Sequence, residues 1–252
     1  MTQQEALFKY TLRLGDNALI QGHRLSEWCS KGPILEEDLA LTNMALDNIG
    51  LAQAFLNYAA TVEGKGKTED DLAYKRAERQ FYNHQITELP IGDFAVTIAK
   101  QLLISAFEVQ LFTVLSQSTN ETIAGIAAKG LKESRYHFVH SRDWCYRLGE
   151  GTALSHAKLQ QAFNDLWAYT GEFFEMVEED NILLVAGIAA DLQELYPLWK
   201  EMVVTVLTEA TLQIPEDGYM QTGSRKGIHT EHLGHILTEM QYLQRAYPDA
   251  TW

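Results

Sequence analysis

The chain has 252 residues, 46% of them hydrophobic and 21% charged, with a formal net charge of −14. That length and composition describe a globular chain, expected as one domain over residues 1–252. The acid excess argues against nucleic-acid and membrane-surface binding, both of which want a basic face, so neither partner is expected.

Thr2-x-x-Glu5 reads as a capping box. Behind it Leu7, Tyr10, Leu14, Ala18, Leu25 and Trp28 recur at helical spacing, giving a first helix over about 3–30 that Gly32-Pro33 ends. A second helix is expected over about 36–63, with acids in its first turn and Leu39, Leu46, Ile49, Phe55 and Leu56 as core candidates. Gly64 to Thr68 is a turn. The charged stretch after it predicts a helix to about Tyr82, then a crossover ending at Pro90-Ile91-Gly92. Asp93 caps a third helix over about 94–117, and Ser118-Thr119-Asn120 starts a fourth over about 120–148. Accessory helices follow at about 155–178, 187–212 and 229–247, with Pro197 expected to break or kink the second of them. No period-two pattern persists. The expected class is all-α, a ferritin-like four-helix bundle of two helix pairs joined by a long connection, with additional C-terminal helices.

Cys29 and Cys145 stand far apart and outside any C-x-x-C pattern, which fits a reducing cytoplasm. Met1 to Glu5 lacks a signal-peptide profile, and no apolar run of about 18 residues reads as a membrane span.

The chemistry gathers on Lys132-Glu133-Ser134-Arg135-Tyr136-His137. Di-iron carboxylate bundles take a Glu from each of two helices and Glu-x-x-His from each of the other two. The best matches here are Asp16, Asp47-x-x-Gly50, Glu108 and Ser134-x-x-His137. Gly50 stands where a histidine belongs and Ser134 where a glutamate belongs, and two acids are shortened to Asp. Either the site binds metal in an unusual way, or the bundle has lost its metal. In the second case His137 or Arg135 would neutralise the remaining carboxylates. His232 and His235, with Glu231, also have metal-ligand spacing on a helix, against the plainer reading of an exposed helix start. The loop Gly218 to Gly227 is glycine-rich and basic, and Arg225 with Lys226 ahead of a helix would suit an anion or an acidic partner patch.

Several stretches together resemble one family: Tyr10 to Asn17, Leu25 to Cys29, Asp38 to Asn43, Glu78 to Phe81, Lys132 to His137, Gly227 to Gly234 and Glu239 to Arg245. The chain is similar to the C subunits (PaaC type) of bacterial ring-1,2-phenylacetyl-CoA epoxidases. The resemblance implies a part in a cytoplasmic multicomponent monooxygenase of aerobic phenylacetate breakdown. In that family the A subunit holds the di-iron site and binds the CoA thioester. A reductase subunit with flavin and an iron–sulfur cluster delivers electrons from NADPH, and a B subunit is the remaining component. The C subunit is a ferritin-like paralogue that pairs with A and lacks the metal. On that reading this chain has no cofactor and no catalytic residue, and meets phenylacetyl-CoA only indirectly. Its first two helices would face the A subunit, with Trp28, Phe55 and Tyr58 as anchors. Alternatives are an autonomous di-iron oxygenase and a ferritin-like protein that binds a CoA ester.

Overall fold

The computed structural model describes residues 1–248 and 250; Asp249, Thr251 and Trp252, at the end of the expected domain, lie outside the described residues. The helices are α1 (Gln3–Ser26), α2 (Leu35–Glu63), α3 (Glu69–Tyr74), α4 (Gln85–Glu88), α5 (Phe94–Leu115), α6 (Glu121–Gly149), α7 (Ala153–Leu166), α8 (Glu178–Val185), α9 (Leu192–Glu209), α10 (Glu231–Met240) and α11 (Tyr242–Ala246), with no strand among the described residues. They form two compact units, Met1–Pro90 with Gly223–Trp252, and Ile91–Thr222.

In the first unit, α1 begins at the Thr2–Glu5 capping box, where the Thr2 amide donates to Glu5 Oε2 at 2.7 Å and the Glu5 amide donates to Thr2 Oγ1 at 3.2 Å. α2 runs antiparallel to α1. Gly15 of α1 lies against Leu56, where a Cβ would come within 2.7 Å of the leucine, and Gly22 lies against Ile49. Small residues let the two backbones approach closely, and Tyr10 to Asp16 are buried without interruption. α2 is apolar on two faces. Leu41, Met44, Phe55 and Leu56 are buried, but Leu39, Leu46 and Ile49 are exposed, which corrects their expected place in the core. Periodicity finds an apolar face but cannot choose between two of them on one helix.

The expected helix to about Tyr82 stops at Tyr74. The chain beyond it gives up helical bonding because its polar groups pair with α1 instead. The last segment of the chain lies in this same unit and forms α10 and α11.

In the second unit Asp93 and Asn120 cap α5 and α6 as their sequence positions predict, accepting from the amides of Val96 (3.2 Å) and Ile123 (3.0 Å). The two helices are antiparallel, with Phe94 edge-on to Trp144 at 4.9 Å and Glu108 beside Ser134. α5 is long and apolar enough to cross a membrane, but 78% of its apolar window is buried, as in a core helix. Against it packs an aromatic cluster: Phe107 stacks on Phe173 at 4.9 Å, and the Trp199 indole donates to the Leu103 carbonyl at 3.0 Å. The expected helix over about 155–178 is α-helical only to Leu166 and continues as a 3-10 segment, Trp167–Phe174. The one expected over about 187–212 starts at Leu192, because Gly187 takes a left-handed turn (φ 71°) after α8 and Asp191 caps α9. Pro197 sits inside α9 rather than at its break, and leaves the Gln193 carbonyl without its i+4 donor.

Candidate functional site

The densest buried chemistry of the first unit is on the crossover between α3 and α4. Asp16, on α1, is fully buried and accepts a two-pronged bond from the Arg76 guanidinium, together with the Tyr82 amide at 3.0 Å. Burial pushes the Asp16 carboxyl up from its ordinary value, and the Arg76 charge opposes that shift. Every group facing the carboxyl is a donor, which is the environment of an ionised carboxylate. Arg76 also donates to the Leu72 and Gln80 carbonyls and lies over the Phe81 ring, 4.0 Å from its centroid. The next residue on α1, Asn17, accepts from the His84 amide at 2.7 Å. Burial pushes the His84 imidazole well below its ordinary value, so it is neutral.

A second pair closes the network. Glu88 is fully buried and accepts from the Thr230 amide at 2.7 Å and the Asn83 amide group at 3.3 Å. His229 Nδ1 lies 3.2 Å from Glu88 Oε2, and its Nε2 lies 2.8 Å from the Phe81 carbonyl oxygen. An imidazole with an oxygen acceptor at each nitrogen is held as the imidazolium. Burial alone would lower the His229 pKa; the Glu88 carboxylate and the Phe81 carbonyl outweigh it and raise the pKa. Arg24 on α1 fastens the backbone of the same residue, donating from Nε and Nη2 to the Glu88 carbonyl at 2.9 and 2.7 Å. Two acids and two cations therefore alternate in a buried network that ties the crossover to α1 and to the C-terminal segment.

Gly227 permits that docking. Its φ is 69°, and a Cβ there would lie 2.2 Å from the Arg79 carbonyl oxygen. Of the basic pair in this loop, Arg225 is buried and only Lys226 is exposed, so Arg225 is not placed for an external anion or partner. His235 is exposed on an open groove of about 780 Å³ that Glu78, Thr238, Tyr242 and Arg245 also line.

In the second unit Glu108 is buried and accepts from the Ser134 hydroxyl at 3.2 Å. Burial pushes its carboxyl up to about 7, against the opposing influence of His137 and Ser134. His137 is buried as well. Asp47 and Gly50, on α2, are only half-buried.

These donors do not fit a metal pair. The Asp16 carboxylate is taken up by Arg76 and Tyr82, a hydroxyl at Ser134 faces Glu108, and glycine at 50 offers no ligand atom. Among the described residues, no three His, Cys, Asp or Glu side chains gather around a common point. The counter-ion of Asp16 is thus Arg76, and not Arg135 or His137 as the sequence predicted. Its signal was faint: one arginine in a highly charged segment, 60 residues from its acid.

Of the expected partner anchors, Phe55 and Trp28 are buried within the chain and Tyr58 is half-buried. Phe55 is a core residue, on the face of α2 that the sequence cannot distinguish from an outer one, and Trp28 is a core residue in the turn after α1, short of the expected end of that helix near residue 30.

The model of the family described as phenylacetic acid catabolic protein matches residues 1–252. The chain belongs to that family. A member from Escherichia coli (strain K12), the C subunit of 1,2-phenylacetyl-CoA epoxidase, is 50% identical over 246 residues, which cover 98% of this chain and 99% of the relative. The all-helical architecture is the ferritin-like bundle expected of this family of phenylacetic acid catabolic proteins. The stretches that carried the resemblance now have structural roles. Asp16 and Asn17 hold the crossover, Glu78 to Phe81 wrap Arg76, and Gly227 to Gly234 supply His229 and Thr230 to Glu88.

Proposed function

We propose that this chain is a non-catalytic structural subunit of a phenylacetyl-CoA 1,2-epoxidase complex in aerobic phenylacetate degradation. It pairs with a di-iron catalytic A subunit and stabilises it. A reductase with flavin and an iron–sulfur cluster supplies electrons from NADPH, and a B subunit is the remaining member of the cytoplasmic assembly. The substrate phenylacetyl-CoA is met on the A subunit. The observation that carries this reading is the use of Asp16: its carboxylate lies under Arg76, whose charge does inside one chain what a metal ion would otherwise do. The relation to the C subunit of an epoxidase supports the choice of complex.

The test is co-expression with an A-type subunit. The two chains should co-elute on size exclusion, and the iron should follow the A-type subunit. Near-stoichiometric iron in this chain purified alone, with the absorption band of a carboxylate-bridged pair, would overturn the reading in favour of an autonomous oxygenase.

A further inference from the structure

α2 buries one apolar side inside the chain and leaves a second strip beside it exposed; at the end of that strip Ile49 keeps its contact with Gly22 of α1. Leu35, Leu39, Leu46 and Ile49 are 71%, 55%, 64% and 36% exposed. Their spacing, with Thr42 at the intervening step, places them on one side of the helix, in a seam about 21 Å long. Singly exposed leucines are ordinary, but a contiguous row of aliphatics is the mark of an interaction surface.

The charge beside the seam limits what can cover it. From Leu35 to Ile49 the helix carries Glu36, Asp38 and Asp47 outside the core, with Glu37 buried on the opposite side, and no Lys, Arg or His. A second copy laid on the same seam would set these carboxylates against their own counterparts, and like charges across an interface repel. A complementary surface is therefore aliphatic and bordered by cations.

We propose that the face of α2 from Leu35 through Leu39 and Leu46 to Ile49 docks a helix of the catalytic partner that presents aliphatic side chains flanked by lysine or arginine. The inference rests on the subunit reading above and names the surface that performs it. Three of these residues, Leu39, Leu46 and Ile49, are ones that sequence periodicity places in the core, whereas Phe55 and Leu56 of the same expected set are buried.

The experiment uses the full chain co-expressed with the A-type subunit, in three forms: unchanged, Leu39→Asp/Leu46→Asp, and Glu36→Lys. Both leucines are exposed, so the double variant should melt within a few degrees of the unchanged chain, while its affinity for the A-type subunit falls at least about tenfold. Glu36→Lys should weaken assembly and reduce its sensitivity to salt. If the unchanged chain assembles and both variants assemble equally well, the seam is not the docking surface and the subunit reading stands. If the unchanged chain does not bind the A-type subunit, both ideas fall. If the unchanged chain alone is a dimer that Leu39→Asp/Leu46→Asp makes monomeric, the seam belongs to a second copy and the proposal is overturned.

Discussion

Glu88 and His229, both with fully buried side chains, face each other at 3.2 Å, and the other nitrogen of the same imidazole points at the Phe81 carbonyl 2.8 Å away. The ring has an acceptor at both ends. Deprotonation would leave one nitrogen lone pair aimed at an oxygen, so folding holds the proton more tightly than the unfolded chain does.

The pH dependence follows with a definite sign. The folded pKa of His229 is raised above its ordinary 6.5. Its contribution to stability is therefore complete below that value and is lost as pH rises through the raised folded value. Urea midpoints measured from acid to mildly alkaline pH should fall across this window, and His229→Gln should flatten the fall. His229→Ala should cost about 3–5 kcal/mol near neutrality, because it strands a buried carboxylate. A variant as stable as the unchanged chain at neutral pH would show that Glu88 is satisfied without the imidazolium.

Arg76 and Asp16 invite a double-mutant cycle. Arg76→Met should destabilise the chain by about 3–5 kcal/mol through the unpaired Asp16 carboxylate. Asp16→Asn in the same background should recover part of that loss, since the amide has no charge to compensate. Additive losses from chemical denaturation would mean the two side chains do not depend on each other, against their bidentate geometry.

Glu108 titrates in a different window. Its carboxyl is raised from 4.5 to about 7 by burial. The folded chain keeps a proton that the unfolded chain releases, so stability falls as pH rises from 4.5 to about 7 and then levels off. A shift of that size corresponds to about 3 kcal/mol. Glu108→Gln should match the unchanged chain at acid pH and exceed it above neutrality, with calorimetric melting as the readout. A metal-ligating Glu108 would behave in the opposite way, losing bound metal and stability together on the same substitution.

The parts of this fold legible in the sequence are those that depend on near neighbours. Thr2 with Glu5, Asp93 and Asn120 are capping residues whose partners lie three positions away, and each helix starts where they indicate. What was not legible depends on distant partners. Arg76 meets Asp16 across 60 positions and His229 meets Glu88 across 141, and neither cation differs locally from a surface residue. The histidine-rich start of α10 has metal-ligand spacing, whereas its useful member, His229, precedes the helix and serves as a cation. The two faces of α2 could not be told apart for a similar reason. Apolar residues at 39 and 46 and at 41, 44, 55 and 56 satisfy the same period, with Ile49 on the border between them, and only the position of α1 decides which are buried.

Gly227 offers the last test, because it controls whether His229 reaches its site. The residue is left-handed at φ 69°, and a Cβ would sit 2.2 Å from the Arg79 carbonyl oxygen, which is backbone and cannot rotate away. On either side, the Lys226 and Ile228 amides donate to the Gly223 carbonyl at 2.8 and 3.1 Å, so the loop has little freedom to adapt. Gly227→Ala should therefore combine left-handed strain of about 1–3 kcal/mol with a displacement of the segment that carries His229 and Thr230. Its stability should fall, and the alkaline part of its pH dependence should disappear as it does in His229→Gln. Gly218→Ala, at a position with open space and no positive φ, is the matched control and should change the urea midpoint little. Equal behaviour of the two alanine variants would show that the Gly223–Gly227 turn does not hold the C-terminal segment in register with Glu88.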